Sequence, residues 1–324
     1  SLQPFQFLSC IYKLNLGCPD VNYATHCGVM LTSLFENNKS HKINVYILCV
    51  SLPNDIIDRF RRLVEIYGHK LSVINIDETL FINCPIPPKR HITISTYYRF
   101  IIADVLPKDL NRVLYLDCDL IVLNDISEFF EQDISNVGIG AVNDIACYHL
   151  DVFNRLEYSS ELSYFNSGVL LINLDYWRSN NLSGLLFDYV NNNQDKILFH
   201  DQDALNVIFK NDKIMLPLRF NMQSQFLKKA NIDLLQNKSE IIENINNILV
   251  VHFTGGNKPW YRWSQHPFKA EYLEYKEKSL WNNVPLIMPK RRRLLNCITR
   301  WINNLFSKLG LCSADVEYID ISKR

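Results

Sequence analysis

Two carboxylates separated by one residue, Asp117 and Asp119 around Cys118, follow the apolar run Val113-Leu114-Tyr115-Leu116. Such a run reads as a buried strand, and in open α/β sheets ligands collect beyond the carboxyl ends of the strands. Carboxylate oxygens suit hard cations, so the pair is a candidate holder of Mg2+ or Mn2+ together with a diphosphate. The same spacing recurs at Asp201-Gln202-Asp203, ahead of the helical-period run Ala204-Leu205-Val207-Ile208. Spacing alone does not choose between the two, and Asp201 is also what a helix start uses as a cap. His252 ends the run Ile248-Leu249-Val250-Val251 and is followed by Gly255-Gly256-Asn257-Lys258-Pro259-Trp260. Glycines that let backbone N–H groups close on a phosphate, a lysine, and an imidazole able to complete a metal's ligand set suit a phosphate-metal site. The plain alternative is a strand-end histidine before an ordinary turn; paired with carboxylates at another strand end, the functional reading is preferred. Arg99, alone, reads as an ion-paired or solvated residue.

The elements that must position these groups follow from periodicity. Strands are expected at Ile43–Val50, Leu71–Ile76, before Asp117, at Val169–Leu174 and at 248–251. Helices are expected on the face Val29, Leu31, Leu34 and Phe35 after an Asp20-Val21-Asn22-Tyr23 loop, after Pro53-Asn54-Asp55, at Thr96–Val105 and near Leu182–Val190. Strands alternating with helices make the fold class α/β, a mainly parallel sheet covered on both faces. Neither a G-x-G-x-x-G fingerprint nor a P-loop is present, so a nucleotide is held in another way.

Composition narrows the function classes. With 324 residues, 48% of them hydrophobic, the chain can bury a large core. Lys plus Arg and Asp plus Glu are both 34, so no overall field points to nucleic acid. Nine cysteines without a C-x-x-C pair read as reduced and intracellular. Ser1–Asn15 lacks the pattern of a secretory signal, and no stretch has the roughly 20 apolar residues of a membrane span. A composition shift near Trp263 marks a candidate boundary between 1–263, the main domain, and 264–324, an extension. Within the extension, Lys290-Arg291-Arg292-Arg293 opens a segment without an acidic residue until Asp315. Leu294, Ile298, Trp301, Ile302, Leu305, Phe306 and Leu309 share one helical face there, the pattern of a basic amphipathic helix lying on a membrane surface. Packing of that stripe on the catalytic domain is the alternative.

The ordered set Asp20-x-Asn22-Tyr23, Ile94-Ser95-Thr96-Tyr97-x-Arg99, Tyr115-Leu116-Asp117-Cys118-Asp119, Phe165-Asn166-Ser167-Gly168, Asp201-Gln202-Asp203-x-Leu205-Asn206 and His252-x-x-Gly255-x-x-Lys258-Pro259-Trp260 resembles glycosyltransferase family 8. The resemblance runs from about Asn15 to Trp263. Cys27-Gly28-Val29 and the tail Lys258-Pro259-Trp260-x-x-Trp263 resemble the bacterial lipopolysaccharide core glucosyl- and galactosyltransferases. What this implies is a GT-A fold, a Rossmann-like sheet flanked by helices, with a helical C-terminal extension. The implied activity is transfer of glucose or galactose from a UDP-hexose, with retention, to a lipopolysaccharide outer-core saccharide through an alpha-1,2 or alpha-1,3 linkage. The implied setting is the cytoplasm, peripherally bound at the inner face of the bacterial inner membrane.

Carried over by motif, Asp117, Asp119 and His252 would bind Mn2+ or Mg2+, with Cys118 between the carboxylates in the donor site. Cys18, Asp20, Asn22 and Tyr23 would line the uridine pocket. Arg99 would contact the donor, Gly255 and Lys258 the diphosphate, and Asn166 and Asp201 the sugar hydroxyls. Gln202 would sit nearest the anomeric carbon, and Asp144 near the sugars. Retention ordinarily suggests a carboxylate nucleophile; an amide at Gln202 suggests front-face attack instead. The other readings of the residues are transfer to capsule or O-antigen, a haloacid-dehalogenase-type phosphohydrolase, and a non-catalytic nucleotide-sugar binder.

Overall fold

The computed structural model describes residues 5–10, 21–50, 52–85, 94–232, 238–288, 318–319 and 321. Ten strands are present among them: β1 (Phe5–Cys10), β2 (Ile43–Cys49), β3 (Lys70–Asn75), β4 (Arg112–Leu116), β5 (Leu120–Val122), β6 (Ile139–Asn143), β7 (Phe165–Asn173), β8 (Lys213–Leu216), β9 (Met222–Gln223) and β10 (Val250–His252). Seven form one sheet in the order β3-β2-β1-β4-β7-β6-β8, and β5-β10-β9 form a second. In the large sheet β7 alone runs against its neighbours; the other pairings are parallel.

Alternate residues of the central strands enter two different cores. Val45, Ile47, Leu114, Leu116, Val169 and Leu171 face one; Tyr46, Leu48, Val113, Tyr115, Leu170 and Ile172 face the other. That is the period of two expressed in a sheet covered on both sides, and it explains why these strands read as unbroken apolar runs. The helices Val21–Asn37 and Asn54–Ile66 supply Leu31, Phe35, Phe60 and Leu63 to the first core. The segment Ile94–Val105 and the helix Leu182–Asn192 cover the second.

Three local expectations change. Val21, Asn22 and Tyr23 open the helix Val21–Asn37 and are not loop. The helix expected at Thr96–Val105 is 3₁₀ from Ile94 to Ile101 and α only over Ile102–Val105. The tighter winding accompanies burial of every side chain from Tyr97 to Ile101, which leaves no solvent face for a regular amphipathic helix to present. The strand expected from Val169 begins earlier, at Phe165, and runs antiparallel.

That reversal positions the site. Because β7 runs opposite to β4, its amino end, Asn166–Gly168, lies beside the carboxyl end of β4, and the Asp117 N–H donates to the Gly168 carbonyl at 2.8 Å. Two residues later the chain has left the large sheet: the Asp119 carbonyl accepts from Phe253 N–H at 2.9 Å, and Leu120 pairs with His252. The Asp117-Cys118-Asp119 turn is the junction between the two sheets.

Residues past Trp263 pack on this body. Tyr272, in the helix Lys269–Lys278, and Trp281 are buried in the first core. A Cβ on Gly28 would lie 2.2 Å from the Trp281 ring, so the helix Val21–Asn37 needs glycine where that indole crosses it. Ile319 N–H donates to the Leu227 carbonyl at 2.9 Å. The basic amphipathic segment expected at 290–309 lies outside the described residues.

Candidate active site

Asp117, Asp119 and His252 each offer one ligand atom, and the three atoms lie within 4.8 Å of one another. His252 Nε2 is 3.1 Å from Asp119 Oδ1 and 3.9 Å from Asp117 Oδ2. The orientation of the imidazole is held from behind. Asn221 Nδ2 donates to Asn166 Oδ1 at 3.0 Å, which leaves Asn221 Oδ1 to accept from His252 Nδ1–H at 3.1 Å. With its proton on Nδ1, the ring turns the Nε2 lone pair toward two carboxylates, an arrangement that calls for a cation among them. Two carboxylates and an imidazole form a donor set able to hold a divalent cation. Space is kept by the missing side chain of Gly168: a Cβ there would stand 2.4 Å from both Asp117 Oδ2 and His252 Cε1.

The charges around the trio are unequal. Burial works against ionisation of Asp119, but the Lys258 ammonium, 2.5 Å from its Oδ2, outweighs it and holds the carboxyl well below the usual range. Asp117 is pushed up by burial and by the neighbouring Asp119 charge, against the pull of Arg99 at 3.2 Å. Tyr115 also donates to Asp117 Oδ1 at 2.6 Å. Lys258 is held over the site by the Phe253 carbonyl as well, and Gly255 before it has φ of 77°, a left-handed turn natural to glycine.

The second triplet divides into three different tasks. Asp203 is fully buried and entirely engaged: Arg155 grips it with two N–H groups at 2.8 and 3.0 Å, Tyr164 donates at 2.7 Å, and the amides of Leu198 and Phe199 donate at 2.7 Å each. Asp201 begins the helix Asp201–Ile208, but its carboxylate makes no cap; His200 holds the cap position. Instead Asp201 accepts from Thr96, from Ser167 Oγ at 2.9 Å and from Arg99 Nε at 3.0 Å. Gln202 Oε1 accepts from Ser167 N–H at 3.0 Å and Asn166 Nδ2 at 3.3 Å. Asn166 Nδ2 also reaches Asp144 Oδ2 at 3.0 Å.

These groups share one cleft of about 510 Å³, lined by Asp117, Asp119, His252, Gly255 and Lys258 on one side and by Arg99, Asp144, Asn166, Asp201 and Gln202 on the other. Arg99 is buried and links the walls through Asp117 and Asp201. Tyr23 is half-buried, edge-on to His26 and Trp260. Cys118, between the two carboxylates, is buried. Cys18 and Asp20 lie outside the described residues, and for Asn22 only the backbone is described. Periodicity and motif spacing passed over Asn221, which orients His252; Asn206, the last residue of the Asp201-Gln202-Asp203-x-Leu205-Asn206 motif, clasps both backbone groups of Phe165 at 2.8 Å.

The sequence profile of glycosyl transferase family 8 matches residues 16–264. General stress protein A of Bacillus subtilis is 30% identical over 274 residues, 83% of this chain and 94% of that protein. The lipopolysaccharide 1,3-galactosyltransferase of Salmonella typhimurium is 28% identical over 314 residues, 94% of this chain and 89% of that protein. Among solved structures, the galactosyltransferase LgtC in complex with donor and acceptor sugar analogues superposes with a TM-score of 0.73 at 22% identity, covering 89% of this chain and 99% of that chain. The fold is therefore of the GT-A type.

Proposed function

Since the chain belongs to glycosyl transferase family 8, we propose that it is a retaining hexosyltransferase moving glucose or galactose from a UDP-hexose to a lipopolysaccharide outer-core saccharide, in an alpha-1,2 or alpha-1,3 linkage. The observation that carries this reading is the pairing, across one cleft, of a divalent-cation site beside Lys258 with a polar wall ending in Gln202. The lipopolysaccharide acceptor is supported by the names of relatives that span most of the chain.

Loss of UDP leaves negative charge on the diphosphate while the sugar becomes oxocarbenium-like, as in glycoside hydrolysis. A divalent cation held by Asp117, Asp119 and His252 would supply Lewis-acid stabilisation of that charge. Lys258 adds a positive charge on the same side, and a unit charge pair at 4 Å is worth about 4 kcal/mol at an effective dielectric near 20. Gly255 lets backbone approach the diphosphate closely. In this reading Asn166, Asp201 and Asp144 hold sugar hydroxyls, Arg99 fixes the donor wall, and Tyr23, Asn22, Asp20 and Cys18 receive the uridine.

Retention is assigned to front-face substitution. The anomeric carbon–phosphate bond breaks, the acceptor oxygen bonds to that carbon on the same face, and the acceptor proton passes to the departing diphosphate. Gln202 is an amide, and Asp201 is already bonded to Thr96, Ser167 and Arg99, so neither offers a ready nucleophile. The deciding experiment is a metal-supplemented panel of UDP-sugars against truncated lipopolysaccharide cores, with linkage analysis of the product. Transfer of hexose with retention is expected; hydrolysis of simple phosphate esters without sugar transfer would overturn the assignment.

A further inference from the structure

We infer that Gln223 is a specificity-determining residue that accepts a hydrogen bond from one hydroxyl of the hexose bound in the cleft; the inference rests on the hexosyltransferase reading above.

Gln223 ends β9 and is the register partner of His252 on the adjacent parallel strand β10. Neighbouring residues in register carry their side chains to the same face of a sheet, so the Gln223 amide leaves the strand in the direction of the His252 imidazole. It lines the same cleft. Its Nε2 donates to the Asn143 carbonyl at 2.7 Å, immediately before Asp144. That bond sets the orientation of the amide, because the reversed orientation would face two acceptor oxygens. Oε1 is then left buried and, among the described residues, without a hydrogen-bond partner, on a side chain only 1% exposed.

An unmet buried acceptor bears the full loss of its hydration with no bond in return, so a fold retains one where a ligand completes it. Oε1 can only accept. Ser163, which also bonds to Asn143, donates its hydroxyl to Asn143 Oδ1. Between the metal-side wall and the Asp144–Asn166 wall, the donor that fits is a sugar hydroxyl. A site built to bond a hydroxyl discriminates against the analogue that lacks it, since its own buried group is left unpaired.

The test compares wild type with Gln223→Leu and Gln223→Glu, using mono-deoxy analogues of the donor hexose and of the acceptor sugar. In the wild type, one deoxy position should lower kcat/KM about tenfold, the worth of a single neutral hydrogen bond. In Q223L the parent sugar should fall by the same factor and the penalty for that one deoxy position should vanish, while penalties at the other positions persist. Q223E, which keeps an acceptor at the site, should retain the positional penalty. If both variants keep the wild-type penalties at every position, Gln223 reads no hydroxyl, and a lowered melting temperature alone then marks it as structural. If wild type itself neither binds nor turns over any UDP-hexose, the hexosyltransferase reading fails, and this inference with it.

Discussion

Gly168 and Asn221 carry no reactive group, yet the metal trio depends on both. Gly168→Ala would put a methyl 2.4 Å from Asp117 Oδ2 and His252 Cε1, and overpacking of this kind typically costs about 1–3 kcal/mol. The expected outcome is loss of metal-dependent turnover with far-ultraviolet dichroism unchanged; full Mn2+ affinity in a titration of the variant would count against the crowding argument. Asn221→Leu removes the acceptor that keeps the His252 proton on Nδ1. Loss of such a supporting partner weakens metal affinity about 10–100-fold, which isothermal titration would measure, while Asp119→Asn should abolish binding outright. Residue types alone proposed both carboxylate pairs, and the histidine with its lysine turn selected the one whose ligand atoms the structure gathers with those of His252. The sequence reading named neither Gly168 nor Asn221 as a site residue, because a glycine's role is the space it leaves and Asn221 stands far along the chain from the ring it orients.

At the level of elements, the second Asp-x-Asp shows how one spacing serves two purposes. Asp201 and Gln202 face the cleft, whereas Asp203 ties the helix Asp201–Ile208 to the helix Leu150–Leu156 through Arg155 and pins the amides of 198 and 199. Breaking a buried ion pair by removing one partner costs about 3–5 kcal/mol. Asp203→Ala should therefore lower the urea midpoint sharply; a midpoint within error of wild type would refute the pinning role. The apolar runs and helical periods located most elements, since burial on both sheet faces writes itself into composition. Strand direction did not appear in them. β7 has the same apolar pattern whichever way it runs, and only its pairing with β4 brings Asn166–Gly168 to the ligand edge.

For the whole molecule, two buried histidines give a pH dependence with a definite sign. His26 and His266 are both lowered from 6.5 to about 3, by burial first and, for each, by Lys258 as a further cause; for His26, Asp119 pulls the other way. The unfolded chain takes up protons at these groups below about pH 6.5 while the folded protein does not, so stability falls as pH drops from there toward 3. Each contributes a slope of up to about 1.4 kcal/mol per pH unit. Denaturation midpoints measured between pH 7 and 4 should decline, and less steeply in His26→Phe; an unchanged slope would exclude that residue.

The extension is proposed as the membrane-facing part of the molecule, 264–324 beside a catalytic 1–263. No helix among the described residues is long and apolar enough to cross a membrane, and the proposal rests on the basic run. Because Tyr318 and Ile319 dock on the catalytic body near Lys228 and Leu227, truncation after Pro289 would disturb more than the anchor. Replacing Lys290, Arg291, Arg292 and Arg293 with Gln is the cleaner change. With each basic residue worth about 1 kcal/mol near an anionic surface, the variant should lose sedimentation with anionic liposomes while keeping UDP-hexose affinity; retained sedimentation would remove the anchor.

By itself the sequence determined the α/β class and singled out the carboxylate pair and the histidine that the structure brings together, since these are written in residue type, period and position at strand ends. The tertiary structure alone decided that Asp117-Cys118-Asp119 is the joint between two sheets, that Asp203 is structural, and that Gln223 stands in register with His252. Those facts depend on strand direction and on which distant backbone groups become partners. The hydrogen bonds that set them join residues far apart in the chain, and local pattern carries no record of them.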